Sequence, residues 1–155
     1  MNITKLAPTL TIATGLMLFA SAANTADNVS VTVNANINAV CKFFTAAPVV
    51  NVTNTGIGSN IDPSSLATAT GSASLVYRCS NGTTPLFAVP GTATITNGGG
   101  ATMTPAISSS NTGPGSAMGM DRNQTLTVTG QIAPAGFQDA PAGAYTGSIL
   151  ISVAP

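Results

Sequence analysis

Residues 28–41 alternate between apolar and polar side chains, and this alternation limits the fold more than any other feature of the sequence. The apolar positions are Val29, Val31, Val33, Ala35 and Ile37. Since successive side chains of a β-strand point to opposite faces, a period of two predicts a half-buried strand. Two uses of that apolar face stay open: the strand pairs within its own sheet, or it packs against another molecule.

Residues 1–26 have the organisation of a secretory signal peptide. Lys5 supplies a positive charge, residues 7–19 are mostly apolar, and small residues follow. We expect cleavage after Ala22 or Ala26. A transmembrane anchor is the less favoured interpretation, because threonines interrupt the apolar run and no basic cluster follows it. The mature protein is therefore expected to be exported.

Charged side chains are scarce, at 5% of the chain against about 25% in ordinary globular proteins. About 130 residues remain after the signal peptide, which is the length of one domain. The nearly neutral chain makes nucleic acid and anionic membranes poor partners. Without histidine or glutamate, the residues of a catalytic or metal site are hard to assemble. We expect no enzyme activity, no cofactor, no metal and no small-molecule substrate.

Two cysteines each end a strand-like stretch: Cys41 ends the alternating residues, and Cys79 ends residues 73–79. An even number of cysteines in an exported chain favours a disulfide. A metal site or a catalytic thiol needs partner ligands or a base, and the chain has no histidine to supply them. The sequence therefore predicts a structural disulfide between Cys41 and Cys79.

The rest of the chain alternates short strand-like stretches with turns rich in Gly, Pro, Asn and Ser. Strands are predicted over residues 48–52, 73–79, 86–89, 92–96, 101–107, 126–132 and 144–153, and a flexible loop over 108–119. Many short strands at this spacing, without a helical segment, indicate an all-β fold, an antiparallel β-sandwich.

The last predicted strand, residues 144–153, alternates again. Its inward-facing positions are Tyr145, Ile149, Ile151 and Val153. Each core strand of a sandwich needs neighbours on both edges, and no strand follows this one in the sequence. The last strand is therefore expected to lack a neighbour.

Four stretches together resemble the spore coat U domain proteins, a family that includes the subunits of archaic chaperone–usher pili. The stretches are the alternating strand that runs into Cys41, residues 76–79 with the turn at 80–82, residues 129–134, and residues 142–153. They span most of the mature chain, whereas residues 91–120 match in character only.

The resemblance implies an immunoglobulin-like sandwich that lacks its last strand, formed by residues 39–155, with an N-terminal donor strand at 27–38. In such pilins a periplasmic chaperone first fills the open groove. The donor strand of a neighbouring copy then replaces it at an outer-membrane usher, by β-augmentation. The implied plugs are Val29, Val31, Val33, Ala35 and Ile37, and the implied acceptor groove runs beside Tyr145, Ile149, Ile151 and Val153.

The function that the resemblance implies is that of a structural subunit of a surface pilus, which supports adhesion and biofilm formation. The subunit would pass through the periplasm and end at the cell surface. The alternative is that residues 29–37 form the first strand of a closed sandwich. The protein would then be a self-contained secreted binding module or a spore-coat-type structural protein.

Overall fold

The computed structural model describes residues 28–112 and 119–155. The chain divides into two units, Met1–Ala35 and Asn36–Pro155, and the assigned strands lie in the second. The signal peptide predicted for residues 1–26 lies outside the described residues. Within the described ranges, no helix has the length and apolar character needed to cross a membrane.

The described part of the second unit contains eight short strands and one turn of 3-10 helix at Pro134–Gly136. The strands are β1 (Cys41–Phe43), β2 (Ala69–Cys79), β3 (Leu86–Ala88), β4 (Ile95–Thr96), β5 (Thr102–Met103), β6 (Ala106–Asn111), β7 (Gln124–Ile132) and β8 (Ser152–Ala154). They form a four-stranded sheet in the order β1-β2-β7-β6 and two pairs, β3-β8 and β4-β5. Every pairing is antiparallel. The chain is therefore all-β, as predicted, and consistent with a β-sandwich.

The longest strands are those with the clearest alternation in the sequence. In β2 and β7 one face buries most of the apolar side chains, and the other face carries mainly Ser and Thr, with Val76, Arg78 and Gln131. Tyr77 and Leu126 are the largest of these buried side chains. The ring of Phe87, in β3, meets the ring of Tyr77 edge-on at 4.9 Å between centroids. The β3–β8 pair thus covers part of the inner face of the four-stranded sheet.

Two apolar clusters lie along the inner face. The first cluster consists of Leu75, Tyr77, Cys79, Leu126 and Val128, and the second consists of Ala69, Met103, Ile132 and Phe137. Strand β2 joins them, since Cys79 lies in the first cluster and Ala69 in the second. Ten residue steps separate these two ends, which is about 33 Å of strand.

The strand predicted over residues 48–52 is wrong, because these residues cross the inner face of the sheet. A Cβ on Gly71 would overlap the carbonyl oxygen of Asn51. The side chains of Val50 and Val52 lie 3.4 Å from the Cβ position of Gly130. The two glycines leave space for the crossing backbone, which therefore packs on the sheet instead of pairing beside it.

Other strand boundaries also differ from the prediction. Of the final strand predicted over residues 144–153, only the end is assigned, as β8, and Thr146 forms an isolated bridge with Thr96. Residues 28–40, predicted to lie in a strand, have no strand assignment, and β1 begins at Cys41. An extended segment is stable as a strand only where a neighbour pairs with its backbone. The loop predicted over residues 108–119 begins only after Asn111, since β6 pairs with β7 up to that residue. Residues 113–118 of that loop lie outside the described residues.

The predicted disulfide is confirmed. Cys41 and Cys79 are bonded, lie directly opposite each other in the β1–β2 ladder, and have their Cα atoms 4.1 Å apart. The bond links positions 38 residues apart and holds β1 at the edge of the sheet.

Replacing both cysteines, Cys41→Ala with Cys79→Ala, is expected to lower the free energy of unfolding by roughly 4 kcal/mol, because the unfolded chain regains the entropy of an open loop. Urea denaturation of the oxidised protein and the double variant measures the difference. Reduction of the unsubstituted protein should cause a similar loss. A loss below about 1 kcal/mol in both experiments would contradict this role of the disulfide.

Candidate functional site

An open groove of about 1060 Å³ lies between the four-stranded sheet and residues 144–151. Pockets for small molecules have volumes of about 300–1,000 Å³, so this groove is at the upper end of that range. Its floor is apolar and comes mainly from Leu75 of β2, Val128 and Ile132 of β7, and Ile107 of β6. Leu75, Val128 and Ile132 are buried and Ile107 is half-buried, so the groove reaches the inner face on which the two clusters lie.

Two chain segments form the walls of the groove. Residues 47–52 line it on one side, and residues 140–151 line it on the other. Near the disulfide, β1 and β8 lie next to each other, but they belong to different sheets and no ladder joins them. The groove lining contains no charged side chain. Its geometry suits an extended, apolar occupant.

The predicted acceptor residues alternate as the sequence suggested. Tyr145, Ile149, Ile151 and Val153 are half-buried, and the residues between them are exposed. Tyr145 packs on the second cluster, whereas Ile149 and Ile151 pack on the first, and all three line the groove. Val153 lies outside the groove lining, opposite Phe87 in the β3–β8 ladder.

Residues 144–154 are called the last segment. Their backbone is hydrogen-bonded along one edge only, and only over part of its length. Thr146 exchanges two hydrogen bonds with Thr96, of 2.9 and 3.0 Å, and residues 152–154 pair with β3. No backbone hydrogen bond joins residues 147–151 to another described segment. Neighbouring residues of a strand turn their N–H and C=O groups to opposite edges. Since Thr146 faces β4, the groups of Gly147 and Ile149 face the other edge, which is open.

Gly147 allows the last segment to lie close to residues 94–95. A Cβ at this position would overlap the carbonyl oxygen of Thr94 and would lie 3.0 Å from Cγ2 of Ile95. A larger residue would push the segment away and break the exchange between Thr146 and Thr96. This glycine therefore positions the wall of the groove.

The apolar side chains predicted to be plugs are exposed. Val29 is 82% exposed, Val31 79%, Val33 85% and Ile37 89%, and Ala35 is exposed as well. Monomeric soluble proteins rarely present a contiguous apolar surface without a binding function. A row of such side chains at every second position indicates an interaction surface.

Among the residues that the structure describes, two titratable groups, Asp62 and Tyr77, have shifted pKa values, and both lie outside the groove lining. Burial raises the pKa of the Tyr77 phenol, and the Asn111 side chain partly opposes this. Hydrogen bonds from the Ser64 hydroxyl and N–H lower the pKa of Asp62. Among the described residues, no group of three or more His, Cys, Asp or Glu side chains is placed to hold a metal ion.

Sequence reasoning missed part of the groove. Phe137 is 3% exposed and belongs to its lining, although it lies in a connection rich in Pro and Gly. A single large apolar residue in such a connection is the only local signal of its burial. Residues 48–52 were predicted as a strand, whereas they form part of a wall. Only the position of Gly71 and Gly130 on the facing strands explains that placement.

No protein-family model, no curated protein and no solved structure matches this chain.

Neighbouring residues of the last segment provide a matched test of the wall. Ile149→Ala removes a half-buried side chain from the first cluster and is expected to lower the free energy of unfolding by about 1–3 kcal/mol. Leu150→Ala removes a side chain that is 86% exposed and should change it by less than about 0.5 kcal/mol. Urea denaturation measures both. Equal losses would mean that the inward and outward positions are assigned wrongly.

Proposed function

We propose that this protein is an exported structural subunit of a surface filament in which each copy completes the fold of the next. Residues 29–37 of one copy lie in the groove of a neighbouring copy and pair with the open edge of residues 147–151. The observation that carries the proposal is an apolar groove beside an unpaired strand edge, in a chain that also exposes an alternating apolar segment.

The order of the strands supports an immunoglobulin-like sandwich that is one strand short. One sheet of that fold has the order A-B-E-D, and the other contains C, F and G. The order β1-β2-β7-β6 corresponds to A-B-E-D, and β3-β8 corresponds to C-F. Among the described residues the β3-β8 sheet has no third strand, so the place of G, on the open edge of F, is not filled. A donated strand would occupy that position.

The donated segment and the acceptor segment agree in length and in chemistry. Eight residue steps separate Val29 from Ile37, and eight separate Tyr145 from Val153, so each spans about 26 Å. Burial of a Val or Ile side chain contributes roughly 1.5–3 kcal/mol, so four plugs contribute on the order of 6–12 kcal/mol before ordering costs. Backbone hydrogen bonds of the new ladder add to this contribution.

The direction of the chain before β1 favours donation to another copy. Val40 extends the β1–β2 pairing, since its carbonyl accepts from the Ser80 N–H at 2.8 Å and its N–H donates to the Ser80 hydroxyl at 3.1 Å. To enter its own groove, the chain would have to reverse within residues 37–39. Ile37 would then lie in the turn and could not act as a plug. Donation to a second copy uses all five predicted plugs.

Before assembly, the unpaired edge and the groove beside it must be protected from aggregation. An unpaired edge beside an apolar groove is a ready template for aggregation. A periplasmic chaperone that lends a strand, and an outer-membrane usher that exchanges it for the next copy, would meet this need. The pilus, adhesion and biofilm roles expected from the resemblance to spore coat U domain proteins belong to this proposal.

The test is electrophoresis of material sheared from the surface of cells that produce the protein, with and without boiling. We expect a ladder of multimers that collapses to monomer only on heating. The double variant Val31→Asn with Val33→Asn should abolish the ladder, because two polar side chains would be buried without partners. The matched control Thr32→Asn with Asn34→Thr changes the opposite face and should retain it.

A single monomer band in both lanes for the unsubstituted protein would reject the proposal. A closed secreted binding module would then be the better account. If the Val31→Asn with Val33→Asn variant gave an unchanged ladder, residues 29–37 would not be the donated strand. The copies would then assemble in another way.

A further inference from the structure

The charged side chains of residues 28–112 and 119–155 are divided between the two ends of the four-stranded sheet. Lys42 and Arg78 lie opposite each other in the β1–β2 ladder, beside the disulfide. Asp121 and Arg122 precede β7, whose first residue pairs with Tyr77, and so they lie at the same end. These four residues define the basic end, which has three positive charges and one negative charge.

The two remaining charges are carboxylates at the opposite end of the groove. Asp62 follows Ile61, Asp139 precedes Ala140, and both apolar neighbours pack on the second cluster and line the groove. Hydrogen bonds from Ser64 keep the Asp62 carboxylate ionised to a lower pH than usual, because they lower its pKa. Asp62 and Asp139 define the acidic end. About 33 Å of strand separates it from the basic end.

Lys42 has no neutralising partner within the described chain. The guanidinium of Arg78 donates to Oδ1 of Asn123 at 2.8 Å and to the Met120 carbonyl at 3.1 Å, and it lies 4.5 Å from the centre of the Phe44 ring. The Lys42 side chain has no hydrogen bond or ion pair among the described residues. Like charges directly opposite each other in an antiparallel ladder are destabilising. A carboxylate from outside the chain would relieve this repulsion.

Strand donation would bring the basic end of one copy to one end of the groove of the next. Five residue steps join Ile37, the last plug, to Lys42, so at most about 18 Å of chain separates them. If Ile37 lay at the disulfide end of the acceptor, Lys42 would meet the basic end of that copy. If Ile37 lay beside Tyr145, Lys42 would meet the acidic end.

We propose that the acidic end of each copy is a docking surface for the basic end of the preceding copy, with Lys42 placed against Asp139. This inference rests on the proposed function and adds the surface that sets the direction of the donated strand. Asp62 and Asp139 are exposed and each adjoins a residue that lines the groove, so the attraction acts before the plugs are buried. Rim charges act mainly on the rate of association and on its dependence on salt.

The experiment measures how fast the ladder re-forms. Filaments are dissociated in guanidinium with the disulfide intact and diluted into 20 or 500 mM NaCl, and samples are run unboiled over time. The Debye length falls from tens of ångströms to a few over that range, so the attraction is screened at the higher concentration. The unsubstituted protein should assemble at least threefold more slowly at 500 mM NaCl.

Charge-reversal variants test whether Lys42 and Asp139 attract each other across the interface. Lys42→Glu and Asp139→Lys, each alone, should slow assembly in 20 mM NaCl by about three- to tenfold. The double variant restores an opposite pair and should assemble within about twofold of the unsubstituted protein. Lys42 and Asp139 are exposed, and the unsubstituted protein's own salt dependence needs no variant at all.

The two proposals fail in different ways. A ladder that forms at the same rate in both salt concentrations and in all variants would overturn the docking surface and leave strand donation intact. A double variant slower than either single variant would also overturn it. If material sheared from cells that produce the unsubstituted protein shows no ladder before dissociation, strand donation itself is wrong.

Discussion

The unpaired edge of residues 147–151 is the constraint on which the rest of this structure depends. Backbone N–H and C=O groups that have no ladder partner must bond to water or to another chain. Water can satisfy these groups, but it does not pack against the half-buried apolar side chains that line the groove, such as Ile107, Ile149 and Ile151. An extended segment that alternates between apolar and polar side chains satisfies both requirements at once.

The domain remains folded despite this open edge, because interactions in other parts of the structure stabilise it. Strands β2 and β7 pair over nine residues and bury their apolar faces in two clusters. The disulfide fixes β1 to β2, so the strand that precedes one wall of the groove stays in register. Gly147 holds the other wall close to Thr94. The groove is therefore built on rigid elements, as a binding site requires.

Local sequence patterns predicted the all-β fold, the disulfide and the inward residues of the last segment, because alternation and cysteine spacing are properties of single stretches. They failed for residues 48–52, whose valines are typical of a strand but lie across Gly71 and Gly130. That outcome depends on space left by residues distant in sequence. The partner of residues 29–37 is likewise beyond local patterns, because their alternation is the same whether the facing strand belongs to the same chain or to another.

Hydrogen exchange in assembled material is the most direct test of a strand donated between copies. Amides of residues 29–37 and 147–151 should exchange rapidly in the isolated chain, since neither segment has a ladder. In filaments both segments should become protected together, and by similar factors, because each supplies the hydrogen-bond partners of the other. Filaments in which either segment still exchanges as fast as in the isolated chain would contradict the account.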